Sequence, residues 1–244
     1  MVSAVRMGQY VAVFPRTALV TGAASGIGAA TVDLLRREGA EVRPLDLVDG
    51  FDVADPQGWE SVGPVDLACL NAGATTGERD IQAVTDEAYR RIVGANLDGV
   101  VFGVRHLARV LERGSAIVVT ASLAGLAAAA DDAIYTATKH AAVGFVRAVA
   151  LQLEALEIRI NAVAPGFADT PILGAGRERF LEAGFPLLRA EEVASAILEA
   201  GRSGETGQVW VVQPGREPAP FRFPNLPGAR TAAGESAGSP PALS

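Results

Sequence analysis

Thr17-Ala-Leu-Val-Thr21-Gly22-Ala-Ala-Ser25-Gly26-Ile27-Gly28 is the stretch that decides the fold. Thr17 to Thr21 reads as a buried strand. Ile27 to Glu38 carries helical periodicity, and Gly39 supplies the stop signal at its end. Gly22 and Gly26 lie between them, and Gly28 stands at the start of the helix. Glycine lets the backbone turn tightly and approach a pyrophosphate, while the N-terminus of the following helix offers N–H groups and the positive end of its dipole. A glycine-rich turn without a ligand is the alternative reading of such a motif in isolation. Its placement between strand and helix favours dinucleotide binding.

Working outward, the alternation continues. Glu41 to Asp46, Val65 to Leu70, Ser115 to Thr120, Arg159 to Ala164 and Gln208 to Val212 read as further strands, with Pro44 an unusual member of the second. Ala88 to Arg113 is helical with a break near Gly94 and Gly99, and Ile134 to Leu156 is the longest helical pattern. Continuous apolar strands alternating with helices predict an α/β fold: a doubly wound parallel sheet with helices on both faces, in a single domain.

The 244 residues are 49% hydrophobic and 20% charged, a globular composition. A net charge of -7, from 21 basic and 28 acidic residues, argues against nucleic-acid binding. The one cysteine, Cys69, excludes an intramolecular disulfide framework, and with His106 and His140 it leaves little for a transition-metal site; no metal is expected. A carboxylate-only Mg²⁺ or Ca²⁺ site stays open. Arg6, Gln9 and Arg16 interrupt the apolar residues of Met1 to Val20, and no run approaches the ~18–20 residues of a membrane span, so a cytoplasmic protein without membrane contact is expected. Residues 1–215 are taken as the nucleotide-binding domain. The Pro/Gly/Ala/Ser-rich stretch 216–244 is taken as a tail, disordered over 228–244 and able to dock on the domain or a neighbouring subunit over 216–227.

The glycine spacing, G-x-x-x-G-x-G, resembles the nucleotide loop of the short-chain dehydrogenase/reductase family. That family's loop is followed by an acidic residue after strand two, N-A-G, N, S, Y-x-x-x-K and P-G. The same order runs here through Asp46, Asn71-Ala72-Gly73, Asn96, Ser122, Tyr135-Thr-Ala-Thr-Lys139 and Pro165-Gly166. The resemblance spans residues 16 to about 213 and implies a Rossmann-like fold.

Each part has a chemical reading. Asp46, 18 residues after Gly28, can accept both hydroxyls of the adenosine ribose and repels a 2′-phosphate. Leu47 follows it, and no arginine lies in the glycine loop, so NAD is favoured over NADP. A solvated strand-end carboxylate is the alternative for Asp46. Asp52-Val53 resembles the adenine-contacting pair. Tyr135 and Lys139, at i and i+4, share a helix face. A nearby ammonium and a positive nicotinamide ring favour the phenolate, which can take the alcohol proton as hydride leaves. The resemblance gives Lys139 a hold on the nicotinamide ribose. It gives Asn96 a place in a proton relay, beside the plainer role of a helix-break cap. Ser122, 13 residues before Tyr135, can polarise the substrate oxygen; no histidine is placed to make it a nucleophile. Gly22, Ser25, Gly26, Ile27 and Gly28 form the phosphate cradle, and Asn71, Ala72 and Gly73 admit the cofactor. Pro165 and Gly166 meet the nicotinamide by resemblance. Thr170 contacts its carboxamide or the phosphates, or only begins a helix with Pro171. Cys69 and Trp210 read as packing residues, and His106 as a surface or interface group.

The expected activity is reversible hydride transfer between NAD(H) and a small-molecule secondary alcohol or ketone. An NADP(H)-dependent ketoreductase and a non-catalytic dinucleotide sensor are the alternatives. By resemblance the protein pairs as a dimer or tetramer through its two long helices. Two segments are short for the family. Only 19 positions separate Asp52 from Asn71, leaving a helix of little more than Pro56 to Ser61, and Gly166 to Glu191, the substrate-covering region, is brief. Steroids, sugars, acyl thioesters, aromatic ketones and small diols all stay open as substrates.

Overall fold

All six apolar runs form strands in the computed structural model, which describes residues 15–225, 227–230 and 232. These are β1 (Thr17–Thr21), β2 (Glu41–Leu45), β3 (Leu67–Leu70), β4 (Ala116–Thr120), β5 (Arg159–Pro165) and β6 (Val209–Val212). They lie parallel in the order β2-β1-β3-β4-β5-β6, and a two-residue β7 (Ala219–Pro220) adds antiparallel to β6. Pro44 is accommodated because β2 is an edge strand, paired only through β1, with Pro44 opposite Val20.

Successive residues along each strand face opposite sides, so one strand feeds two cores. Val20, Cys69 and Val118 pack with Val32 and Leu35 of α1 (Gly26–Arg37) and Ile197 of α6 (Ala190–Arg202). Leu19, Leu70 and Ile117 pack on the other face with Val104 and Leu107 of α3 (Gly99–Val110) and Val146 of α4 (Ala133–Leu153). Helix α6 has no clear periodic signal in the sequence. The buried face of α6 includes Ala194, Ala196, Ala200 and Gly201, which gives little apolar contrast along the chain. That smallness has a purpose, since a Cβ on Gly201 would lie 2.9 Å from the Leu67 side chain.

The expected helical break is a π-helical turn at Gly94–Asp98, between α2 (Asp86–Val93) and α3. The trimmed connection after Asp52 is one 3₁₀ turn, Gly58–Ser61. Its Trp59 is 1% exposed and packs into the core with Val53, Leu70 and Val104. The indole lies under Gly103, where a Cβ would come within 2.8 Å of the ring, and its Nε1 donates to the Val53 carbonyl at 3.0 Å. His106, expected at a surface or an interface, is half-buried and donates from Nε2 to the Val62 carbonyl at 2.8 Å.

The chain leaves β5 through a 3₁₀ turn, Pro171–Gly176, and the short α5 (Arg177–Glu182) before α6. Beyond β6 it returns to its own domain. Phe223 packs on the core, with the Arg147 guanidinium of α4 3.7 Å from its ring centre. The expectation of disorder over 228–244 lies outside the described residues except at 228–230 and 232, and Met1 to Phe14 lie outside them too. Among the described residues no helix is long and apolar enough to cross a membrane.

Candidate active site

The strand order reverses between β1 and β3, because β2 lies on the far side of β1. A crevice opens at the carboxyl ends of the strands at such a point, and there open α/β sheets bind ligands. The loop after β1 and the turn after β3 line it. Gly22 and Gly26 adopt left-handed φ of 64° and 51°. A Cβ on Gly28 would lie 1.9 Å from the Gly22 carbonyl oxygen, so only glycine allows α1 to start this close to β1. Ser25 precedes the helix in extended conformation without a side-chain cap, and the first turn holds no acidic residue. An uncapped helix start over a glycine cradle fits a pyrophosphate. Ile27 packs its side chain on the core.

Asp46 faces this loop. Ala24 N donates to its Oδ2 at 2.9 Å and Val48 N to its Oδ1 at 3.2 Å, so Pro44 does not turn the carboxylate away. Leu47 beside it is exposed. Asp52 is exposed and accepts from Ala54 N at 2.9 Å, while Val53 is buried and fixed through its carbonyl by Trp59. Asn71 does more than leave room. It donates to the Thr21 carbonyl at 3.2 Å and accepts from Thr120 Oγ1 at 3.1 Å, while Thr21 Oγ1 accepts from the N–H groups of Asn71 and Ala72. These bonds pin the ends of β1, β3 and β4 together. A Cβ on Gly73 would lie 3.1 Å from Asn96 Oδ1 and 3.4 Å from Lys139 Nζ. Gly166 N donates to the Val212 carbonyl at 2.9 Å, which anchors the Pro165-Gly166 turn beside Leu123. Thr170 reaches back to the glycine loop: its Cβ lies 3.1 Å from the place of a Cβ on Gly26, and Pro171 begins the 3₁₀ turn after it.

Asn96, Ser122, Tyr135 and Lys139 converge beside this crevice. Asn96, 1% exposed on the π-helical turn, donates to the Ala74 carbonyl at 2.9 Å and to Thr138 Oγ1 at 3.0 Å, and accepts from Ala74 N at 2.8 Å. None of these bonds caps a helix; they tie the Ala74 segment to α4. Ser122 follows β4 and its Oγ accepts from Ala124 N at 3.1 Å. Lys139 is buried; its Nζ donates to the Thr120 carbonyl at 2.8 Å and lies 5.6 Å from the Tyr135 ring centre. Burial lowers the lysine from 10.5 to about 8. Burial also pushes the Tyr135 phenol up; hydrogen bonding with Ser122 opposes the rise and the Asp132 charge adds to it. Desolvation thus opposes the lowering expected from the ammonium and the nicotinamide ring. The group so arranged can pass a proton between a phenol and a bound oxygen that Ser122 holds.

Several residues of this site escaped the sequence analysis. Asp132 caps α4 by accepting from Tyr135 N at 2.8 Å, and an Asp three residues before Tyr135 is a readable helix-start signal. Thr21, Thr120 and Thr138 carry no such signal, since only the fold brings their hydroxyls onto Asn71 and Asn96. Among the described residues no group of three or more His, Cys, Asp or Glu side chains could hold a metal ion. Cys69 is buried and its thiol is pushed up to about 12 by burial, in keeping with a packing role.

A family model described as enoyl-(acyl carrier protein) reductase matches residues 57–216. The chain is 34% identical over 217 residues to a cis-4-hydroxycyclohexanecarboxylate dehydrogenase of Sinomonas cyclohexanicum, covering 75% of this chain and 87% of that one. It is 31% identical over 233 residues to a cyclohexanol dehydrogenase of Acinetobacter sp. (strain SE19), covering 81% and 93%. A crystal structure of a short-chain dehydrogenase/reductase (glucose/ribitol dehydrogenase) from Brucella melitensis superposes with a TM-score of 0.75 at 28% identity, covering 82% of this chain and 96% of that one. A 3-ketoacyl-(acyl-carrier-protein) reductase from the same organism, complexed with NADH, superposes with a TM-score of 0.73 at 26% identity over 82% and 98%.

Proposed function

Because the chain belongs to the short-chain dehydrogenase/reductase family, we propose that it transfers a hydride reversibly between NAD(H) and a secondary alcohol or ketone. The carrying observation is the convergence of Ser122, Tyr135, Lys139 and Asn96 beside a cradle that only glycine at position 28 permits. Bound nicotinamide supplies the hydride acceptor or donor. The loop Gly22–Gly28 would hold the pyrophosphate, and Pro165-Gly166 with Thr170 would meet the nicotinamide end. Ser122 donates to the substrate oxygen, and Tyr135 takes its proton in oxidation or gives it back in reduction. Lys139 holds the ribose and supplies the positive charge beside the phenol. Asn96 supports, by resemblance, the proton relay that links Lys139 to solvent.

The choice of NAD rests on Asp46, whose carboxylate faces the glycine loop, and on the apolar Leu47 beside it. A 2′-phosphate would stand against that carboxylate without a cationic partner. The relatives named for cyclohexanol and hydroxycyclohexanecarboxylate support an alicyclic secondary alcohol as the first substrate to try. Exposed Leu151 and Leu156 at the end of the long helical segment support pairing of two copies through α3 and α4.

The test is a panel of secondary alcohols, cyclohexanol included, assayed with NAD by absorbance of the reduced cofactor. Oxidation of at least one is expected. Tyr135→Phe should lower its turnover by ~10²-fold or more while NAD binding survives. A variant that keeps over about a tenth of wild-type turnover would remove Tyr135 from the chemistry.

A further inference from the structure

We propose that Asp132 is a positioning residue for Tyr135: one carboxylate ties the first turn of α4 to the segment that follows the Asn71-Ala72-Gly73 turn. The inference rests on the reading of Tyr135 as the acid/base.

The residue is 8% exposed and uses both oxygens. Oδ1 accepts from Tyr135 N at 2.8 Å. Oδ2 accepts from Thr75 Oγ1 at 2.7 Å and from Thr76 N at 2.7 Å. Two of these three partners lie more than fifty positions away in the chain. A helix cap needs only the first bond, and serine or asparagine would supply it. The other two fasten a second wall of the cleft. That wall is held from two further directions, by Asn96 on both backbone groups of Ala74 and by Arg91 Nη2 on the Thr75 carbonyl at 3.0 Å. Asp132 therefore sets the distance between the phenol-bearing helix and the turn that carries Gly73. A carboxylate suits the place because it is acceptor-only and can take three donors at once; asparagine would turn one of its two acceptor sites into a donor.

The same carboxylate puts a negative charge one helical turn from the phenol. Lys139 lies on the helix of Tyr135 and Asp132 caps it; Asp131, next to the cap, pairs with Arg79, and Arg91 of α2 reaches the Thr75 carbonyl of the facing wall. Asp132 is held ionised: burial alone would raise its carboxyl, but the bonds from Tyr135 N, Thr75 and Thr76 outweigh it and bring it below 3.8. Its charge acts in the direction that keeps the phenol protonated.

Two measurements test this. In the first, Asp132→Ser keeps the helix cap and loses the tie, and Thr75→Val loses one bond of the tie without touching the cap. With the panel alcohol that wild type oxidises fastest, each should lower kcat, Asp132→Ser by about tenfold, with KM for NAD changed less than about threefold. The double variant should be no slower than Asp132→Ser within a factor of about two, since both changes cut one connection. In the second, Tyr135 ionisation is read without turnover, as tyrosinate absorbance lost on adding Tyr135→Phe, in wild type and in Asp132→Asn. The midpoint should fall in Asp132→Asn. An unchanged kcat in Asp132→Ser, with only the melting temperature lowered, would reduce Asp132 to a helix cap. An unchanged midpoint would remove its electrostatic hold on Tyr135. If wild type oxidises no alcohol, or Tyr135→Phe stays active, the proposed function fails, and the absorbance titration still decides whether Asp132 controls Tyr135.

Discussion

Replacing Lys139 by methionine should make the protein more stable and inactive at the same time. The lysine is 4% exposed, and burial brings it from 10.5 to about 8. A group whose folded value is depressed binds fewer protons folded than unfolded, so stability falls as pH falls through the window from 10.5 to about 8 and stays low beneath it. At 1.36 kcal/mol per pH unit, that window corresponds to about 3 kcal/mol of destabilisation at pH 7. Methionine has similar length and no charge. It also strands the Thr120 carbonyl, which now accepts from Nζ at 2.8 Å, at a cost of roughly 1–2 kcal/mol. The net gain at pH 7 is about 1–2 kcal/mol, a rise in Tm of roughly 2–8 °C for a domain of this size. Melting of both proteins is followed by circular dichroism from pH 7 to 10.5. Cys69 shifts in the opposite sense, from 9.0 to about 12, so its stability contribution is lost as pH rises through that range. It is common to both proteins and cancels in their difference. The advantage of the variant should shrink above pH 8 and vanish or reverse by 10.5, while alcohol oxidation is lost throughout. A variant less stable than wild type at pH 7, or a difference that does not change with pH, would refute the reasoning.

Two further outcomes can be checked directly. Wild type should prefer NAD over NADP by roughly two orders of magnitude in kcat/KM, Asp46→Ala should narrow that gap, and Leu47→Arg should narrow it further; equal values in wild type would make Asp46 a mere loop tie. Trp59→Ala should cost about 3–5 kcal/mol in urea unfolding and weaken NAD binding through the freed Val53, and a loss under about 2 kcal/mol would mean that the connection repacks.

Local signals in the chain were enough for the alternating strands and helices and for the glycine loop, because each depends on residues close together. Thr17 to Thr21 could only be a strand leading to a turn, and the glycines at 22, 26 and 28 already imply a backbone that something must approach. Tyr135 and Lys139 share a face by helix geometry alone. Other features needed the third dimension. Helix α6 hid because its inner face is largely alanine and glycine, whose value lies in close approach to β3 and β4. Trp59 fits into the core only because Gly103 leaves room above it. The upward push of burial on Tyr135 was not legible either, since desolvation depends on everything packed around the phenol while the ammonium is visible in the sequence. The junction of Thr21, Asn71 and Thr120, and the reach of Asp132 to Thr75 and Thr76, join residues some fifty positions apart. Periodicity and spacing report which face a residue presents; which distant partner meets that face is settled by how the strands order themselves in the sheet.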